Sequence, residues 1–413
     1  MFVNFIVNID YMDQSFVEEI RQGTKTVMPK LDIIRYYVQN GNNTISELRN
    51  ELDVSVPTVT KLVGELIDDG FVADFGKQVT AGGRRPNMYG VNPEAGYFMG
   101  VDIRDFGVNI ALMNFTGTIV ASNKEIPYKQ QNSPESLDVL CEIINSFMHK
   151  VNIPKEKILN VGINATGLVT TDSGHKYSRY YFNEQPLSET FMDKLGLHVT
   201  IDNDSRAMAY GEYICGAGNS EKTLIFVDVS WGLGMGIINH SQLYYGKSGY
   251  AGEFGHMSVF DNEIMCYCGK KGCLETQASG SYIYRRMLEK IENGHSSVLQ
   301  KKVQKGEVIM LDDIVKAALK GDMMAIELIE EVGFTLGKYL AGVINLLNPE
   351  VVVVGGKVSQ AGDYLLFPIK SAIRKYALNL VAHDTAVKIS KLGDTAGVIG
   401  ACMLARSKML HMI

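Results

Sequence analysis

The chain has 413 residues, 46% of them hydrophobic and 21% charged, which is the balance of a folded globular protein and excludes a disordered one. Forty basic residues against 46 acidic ones give a net charge of −6, excluding a surface coated in positive charge but leaving room for a small basic reading head. No run of about 18 apolar residues is present, so no membrane span is expected, and the lead MFVNFIVNIDYMDQ lacks the basic start and cleavage site of a signal peptide.

Residues 1–28 read as a polar lead without a clear period. Leu31, Ile34, Tyr37 and Val38 then share one helical face, which Asn40-Gly41 ends. Thr44-Ile45-Ser46-Glu47 reads as a capping box that starts a short helix reaching about Leu52. Ser55 caps a third helix with Pro57 in its first turn, a buried stripe of Val59, Leu62, Val63, Leu66 and Ile67, and a stop at Gly70. Two short strands follow, Phe71–Asp74 and Met88–Val91, flanking the basic turn Gly82-Gly83-Arg84-Arg85-Pro86. Three helices and a basic hairpin make a winged helix-turn-helix over 29–93.

The third helix offers Ser55, Pro57, Thr58, Thr60 and Lys61, small polar groups suited to base edges and phosphates in a major groove. Arg84 and Arg85 sit at a glycine-flanked tip that reaches phosphates or a narrow minor groove. Residues 25–90 carry eight basic and eight acidic side chains, so a head for protein contacts is the competing reading. Helix spacing, cap and wing together favour double-stranded DNA.

From Tyr97 the texture changes. Phe98–Ile103, Val108–Asn114 and Ile119–Pro127 read as consecutive strands, followed by a helix over about 133–150 and a strand at Ile158–Ile163. Val199–Asp202 is a strand feeding a helix over Ser205–Cys215, and a second round opens at Thr223–Val229 and includes the buried strand Val351–Val354. This repetition predicts two α/β lobes, 94–219 and 220–413, with a cleft between them.

His256, Cys266, Cys268 and Cys273 form H-x9-C-x-C-x4-C, a full tetrahedral shell for structural Zn2+. Core thiols without a metal are the alternative, but cysteines crowded among glycines and lysines are poor core material. Six cysteines are too few for a disulfide scaffold and point to a reducing cytoplasm. Cys141, Cys215 and Cys402 are isolated and read as buried thiols.

The stretch Gly249-Tyr250-Ala251-Gly252-Glu253-Phe254-Gly255-His256, with Cys266-x-Cys268-Gly269-x-x-Gly272-Cys273-Leu274-Glu275, resembles the signature of the ROK family of repressors, open reading frames and sugar kinases. Asp202-Asn203-Asp204-Ser205-Arg206-Ala207 resembles that family's catalytic-aspartate motif, and Gly355-Gly356 its adenosine loop. The resemblance spans about residues 30–405, and the winged head is similar to that of the branch holding xylose and N-acetylglucosamine repressors. It implies a winged helix-turn-helix on a two-lobed, actin-like, ribonuclease-H-like body that binds an operator and a sugar or sugar-phosphate inducer. It further implies one zinc per chain and a homodimer or homotetramer. Asn203 and Asp204 would hold the sugar's far hydroxyls, Glu253, His256 and Glu275 its anomeric side, and the Gly167 backbone would close the floor. His256 would give one ring nitrogen to zinc and the other to sugar.

The family's kinases carry Asp-x-Gly-Gly-Thr in their first phosphate loop, where this chain has Asp102-Ile103-Arg104-Asp105-Phe106. Trp231 stands where their second loop has threonine. Backbone N–H groups must approach phosphate oxygens closely, so these changes imply that phosphorylation is lost and Asp204 is a vestigial base. Arg104 reads either as a surface charge or as a ligand for an inducer phosphate. A sugar kinase with an appended head is the rival function.

Overall fold

The computed structural model describes residues 14–77, 86–104, 106–170, 185–218 and 221–413. The head is built from helices α1 (Gln14–Gln22), α2 (Met28–Asn40), α3 (Ile45–Leu52) and α4 (Val56–Asp68) over a sheet of β1 (Asn43–Thr44), β2 (Val72–Lys77) and β3 (Asn87–Val91), ordered β1-β3-β2. The capping box forms as the sequence dictates: the Thr44 side chain accepts from Glu47 N at 3.2 Å while Glu47 accepts from Thr44 N at 2.8 Å. Ser55 caps α4 by accepting from Thr58 N.

Two head expectations need correction, and one short strand is added. The lead is partly helical, because Phe16, Val17 and Ile20 of α1 fall on one face and are buried, each worth about 1.5–3 kcal/mol relative to exposure. Ile67 leaves the buried stripe and is 38% exposed at the end of α4. The strand β1 pairs Asn43 with Tyr89 and Thr44 with Met88, a pairing too short to leave a period in the sequence. Arg84 and Arg85 lie outside the described residues.

The body repeats one topology twice. In the first sheet β4 (Tyr97–Arg104), β5 (Gly107–Asn114) and β6 (Ile119–Pro127) run antiparallel; after α5 (Pro134–Val151), β7 (Ile158–Ala165) joins β4 in parallel; after α6 (Leu187–Leu195), β8 (Val199–Asn203) joins β7 in parallel. Helix α7 (Asp204–Cys215) leads to the second sheet. There β9 (Leu224–Val229), β10 (Leu233–Asn239) and β11 (Gln242–Leu243) are antiparallel. Helices α8 (Gly280–Glu292), α9 (Gln300–Gln304), α10 (Leu311–Leu319) and α11 (Met323–Leu347) intervene before β12 (Val351–Gly355). That strand pairs β9 in parallel, and after α12 (Asp363–Tyr376) and α13 (Asn379–Asp384) β13 (Ala386–Ile389) extends it. The orders β6-β5-β4-β7-β8 and β11-β10-β9-β12-β13 are equivalent. This is a mixed α/β, actin-like body.

The last helix, α14 (Ala396–Met409), does not stay with the second sheet but packs on β4 and β7 of the first and against α7. Gly211 and Gly400 allow this crossing: a Cβ on Gly211 would meet the Ala396 carbonyl, and one on Gly400 would meet that of Ala207. A continuous core runs from the head through Phe98 and Phe115, α7 and α14 to Phe226 and Val353 of the second sheet. Edge-to-face rings Phe16–Phe71 and Phe71–Phe115, 5.0 and 5.8 Å between centroids, seat the head on the body.

Candidate functional site

Ligands of such sheets bind beyond the carboxyl ends of the parallel strands. Here those ends carry Asp102 on β4, Thr166 and Gly167 after β7, Asn203 and Asp204 at β8, and Asp228 on β9. Asn203, rather than Asp204, caps α7, its side-chain oxygen accepting from Arg206 N at 3.1 Å. That frees Asp204, the first residue of α7, to face the cleft. Its Oδ2 accepts from Thr166 Oγ1 at 2.7 Å, and its Oδ1 accepts from Asn203 Nδ2 at 3.0 Å and from Ser205 N at 2.8 Å. Asn203 Nδ2 also donates to the Gly167 carbonyl at 3.2 Å. The structure thus brings Gly167, Asn203 and Asp204 together, and adds Thr166, which the sequence reading missed.

Behind them Asp202 is fully desolvated. Burial alone would raise its pKa, but Lys408 at 2.7 Å and Arg206 at 2.7 Å hold it down at about 2. Tyr245 donates to Oδ2, the oxygen that Lys408 also meets, at 3.0 Å. Arg206 reaches on to the carbonyls of Gly249 and Val169, tying both lobes to this point.

Glu253, His256 and Glu275 come from the loops beyond β10 and β11. Gly252, at φ +91°, lets that loop run against β10, where a Cβ would strike the Met235 carbonyl. Burial pushes the Glu253 carboxyl up, His256 and Arg206 counter this, and the Asp204 and Glu275 carboxylates add to it. Glu275 Oε2 accepts from Leu233 N at 2.9 Å. Glu275 is thereby tied to β10, while Glu253 stays 39% exposed.

The ligand atoms of His256, Cys266, Cys268 and Cys273 all lie within 4.8 Å of one another. His256 Nδ1 is 3.6 Å from Cys266 Sγ, and the Cys268 and Cys273 sulfurs are 3.6 Å apart. Zinc–sulfur bonds of about 2.3 Å in a tetrahedron put sulfurs roughly 3.8 Å apart, so this donor set fits such an ion. The other ring nitrogen, Nε2, faces Glu253 at 3.8 Å. Cys141 and Cys402 are buried, whereas Cys215 is only partly so.

Arg104, at the end of β4, is 32% exposed and engaged within the chain. It donates to Asp102 Oδ2 at 2.8 Å and to the Asp394 carbonyl at 2.6 Å, and these neighbours hold the guanidinium firmly charged although burial opposes it. Phe106 lays its ring edge-on to Trp231 across the lobes, centroids 6.0 Å apart, and Trp231 packs on Tyr284 at 5.3 Å. Asp105 lies outside the described residues. Asp228, absent from the sequence reading, is pushed up to about 7 by burial and by the Asp204 carboxylate. Its only sequence signal is an acid closing the apolar run Leu224–Val227.

In the head, Ser55, Pro57, Thr58, Thr60 and Lys61 are all exposed along the first half of α4. Lys61 is 77% exposed, and its one ion pair among the described residues is a 3.7 Å contact with Glu65. Among the described residues no helix is long and apolar enough to cross a membrane.

A family model described as ROK family matches residues 99–408, and one described as winged helix-turn-helix DNA-binding matches residues 30–73. The chain is 32% identical over 389 residues to a putative xylose repressor of Caldicellulosiruptor sp. (strain Rt8B.4), covering 92% of this chain and 96% of that one. It is 32% identical over 316 residues to a glucokinase of Halalkalibacterium halodurans, covering 76% of this chain and 96% of the kinase. Among solved structures, a ROK family transcriptional regulator, a homologue of the E. coli MLC protein, matches with a TM-score of 0.77 at 26% identity, over 93% of this chain and 97% of that one.

Proposed function

The chain belongs to the ROK family, and on that premise we propose that it is a sugar-responsive transcriptional repressor of carbohydrate genes that has given up kinase chemistry. The carrying observation is the union, in one chain matched nearly end to end by repressors, of a winged head with a sugar-kinase-type body. The division we adopt is 29–93 for the head and 94–219 and 220–413 for the lobes, after a lead of 1–28. Asn203, Asp204 and the Gly167 carbonyl take one side of the sugar; Glu253, His256 and Glu275 take the other. Carboxylates and an amide suit adjacent hydroxyls, which both donate and accept.

Zinc, when bound by His256, Cys266, Cys268 and Cys273, supplies a rigid anchor for the loop that presents Glu253 and Glu275. His256 Nδ1 serves the metal and Nε2 the sugar side. Nothing here calls for an open metal position, so the role is structural.

Loss of phosphorylation is supported by Arg104 and Phe106 standing in the first phosphate loop, the one paired with Asp102 and the other set edge-on to Trp231. Asp204 is therefore a ligand for hydroxyls and no longer a base with a phosphoryl donor to work against. Because the Arg104 guanidinium is engaged within the chain, a neutral sugar is favoured over a sugar phosphate. Sugar closes the lobes and moves paired heads out of register with two half-sites, which makes a homodimer or homotetramer the working species.

The head is tested with a duplex that the protein selects from a random pool. Lys61→Ala and Arg85→Ala each weaken that binding and flatten its dependence on salt by about one unit of slope, while sugar binding stays as in the parent. Parent-like duplex binding in both variants would contradict this DNA face. Salt-independent or absent duplex binding by the parent would favour a head for protein contacts.

A further inference from the structure

Helix α14 touches the cleft at one end and the head at the other. At its start Gly397 lies against Asp102, so that a Cβ there would meet both carboxylate oxygens, and the Gly397 carbonyl accepts from Asn164 at 2.7 Å. Just before it, Asp394 holds Arg104. Midway, Gly400 is pressed on the Ala207 backbone of α7, the helix that Asp204 begins. Near its end, Lys408 pairs with Asp202 at 2.7 Å and donates to the Ile201 carbonyl at 3.2 Å, next to Asn203. Immediately past it, the carbonyls of Leu410 and His411 accept from Arg35 of α2 at 2.7 and 2.9 Å, and His411 donates to the Ile20 carbonyl of α1 at 2.7 Å.

Fourteen helical residues span roughly 20 Å, and a helix packed on both sides moves as a unit rather than bending. The aromatic seat of the head on Phe98 and Phe115 lies at the opposite end of β4 from Asp102, away from the cleft. The route through α7 and α14 joins the groups around Asp204 to both α1 and α2 by contacts named at every step, whereas the bond from Arg21 to the Leu159 carbonyl at 2.7 Å ties α1 alone to the start of β7, the strand that leads to Thr166.

We propose that α14 is the rod that carries sugar occupancy to the DNA head, with Lys408 and Arg35 as the positioning residues that fasten it to Asp202 and to α2. This rests on the reading of Asn203 and Asp204 as sugar ligands. A sugar drawing on Asp204 displaces the start of α7, α7 displaces α14 through the Ala207–Gly400 contact, and residues 410–411 shift α1 and α2. Two states of one packed helix pair give the discrete element that coupling requires.

The test uses the full chain and three variants: Lys408→Met, Arg35→Met and the conservative Lys408→Arg. Sugar affinity is measured by calorimetry, and duplex affinity with and without saturating sugar. Coupled sites shift each other by about 5–150-fold; in Lys408→Met and Arg35→Met that shift drops to less than about a fifth of the parent's, while sugar affinity and sugar-free duplex affinity stay within about threefold. Lys408→Arg keeps most of the shift, and the double Met variant loses no more than either single one, since both cut one route. An unchanged shift in both Met variants overturns the proposal, as does loss of sugar binding in Lys408→Met, which would make Lys408 a sugar ligand. A readout without sugar separates this from the functional reading. Amide exchange over 14–22 and 28–40 accelerates in Lys408→Met if the rod holds the head, and exchange there equal to the parent's overturns it, whatever any sugar does. A parent whose duplex affinity ignores every sugar would instead sink the repressor reading.

Discussion

Cys268→Ser is expected to cost the protein its metal, part of its stability and its response to sugar in one step. Cys268 is the exposed member of the four-residue cluster, so its removal leaves no large apolar cavity and the loss is attributable to the ligand. A serine hydroxyl is a poor zinc ligand at neutral pH. Even outer-shell partners are worth about 10–100-fold in metal affinity, so loss of a direct ligand should exceed that range. The cluster sits in the loop between Glu253 and Glu275, and Cys266 Sγ is itself 3.7 Å from Glu275 Oε1. Releasing the ion therefore frees both glutamates from their positions. Metal analysis, melting and sugar titration of parent and variant check this together. About one zinc per chain in the parent and a coordinated loss in the variant are expected. A parent purified without chelator that carries no zinc would contradict the metal assignment.

Asp204→Asn should weaken sugar binding by roughly 1–3 kcal/mol, the range for a hydrogen bond to a charged, largely buried partner. The carboxylate accepts from Thr166, from Asn203 and from both the backbone and the hydroxyl of Ser205, four donors around two oxygens. An amide in its place sets an N–H2 against one of those donors and takes a charged acceptor from the sugar. Binding of the sugar-free protein to its duplex should stay near the parent's, because α4 lies in the head. Calorimetry with the sugar and duplex binding without it read the two effects separately. Sugar-stimulated ATP turnover in the parent, abolished by Asp204→Asn, would return the chain to the kinases and overturn the weight placed on Arg104, Phe106 and Trp231.

What the sequence revealed and what it hid follow the range of the interactions. The Thr44–Glu47 box, the Ser55 cap and the grouping of His256 with Cys266, Cys268 and Cys273 are written within short stretches of sequence, and the structure brings each set of side chains together. The strands of both lobes were legible because buried β runs are dense in valine and isoleucine, as in Val351–Val354. By contrast Lys408 finds Asp202, and Arg35 finds residues 410–411, across hundreds of positions. No local pattern announces such a pair, and residues 396–409 lie within the stretch that the sequence assigns to the second lobe. Asp228 was hidden for a related reason: its burial and the opposing carboxylate of Asp204, which together raise it, arise only in the folded chain. Glu212 is another such residue, wholly buried in α7 while it accepts from Ser390 and Leu392 ahead of α14. The helix α1 was missed because the polar residues around Phe16, Val17 and Ile20 mask a stripe only three residues long.

The most direct test of the account is fluorescence anisotropy of a labelled duplex, selected by the protein itself, titrated with xylose, glucose, N-acetylglucosamine and their phosphates, with and without ATP. The account predicts that one unphosphorylated sugar releases the duplex, that ATP leaves the release curve unchanged, and that the sugar is recovered unmodified. Release that requires ATP and yields a sugar phosphate, or a duplex that stays bound at every sugar concentration, would contradict it.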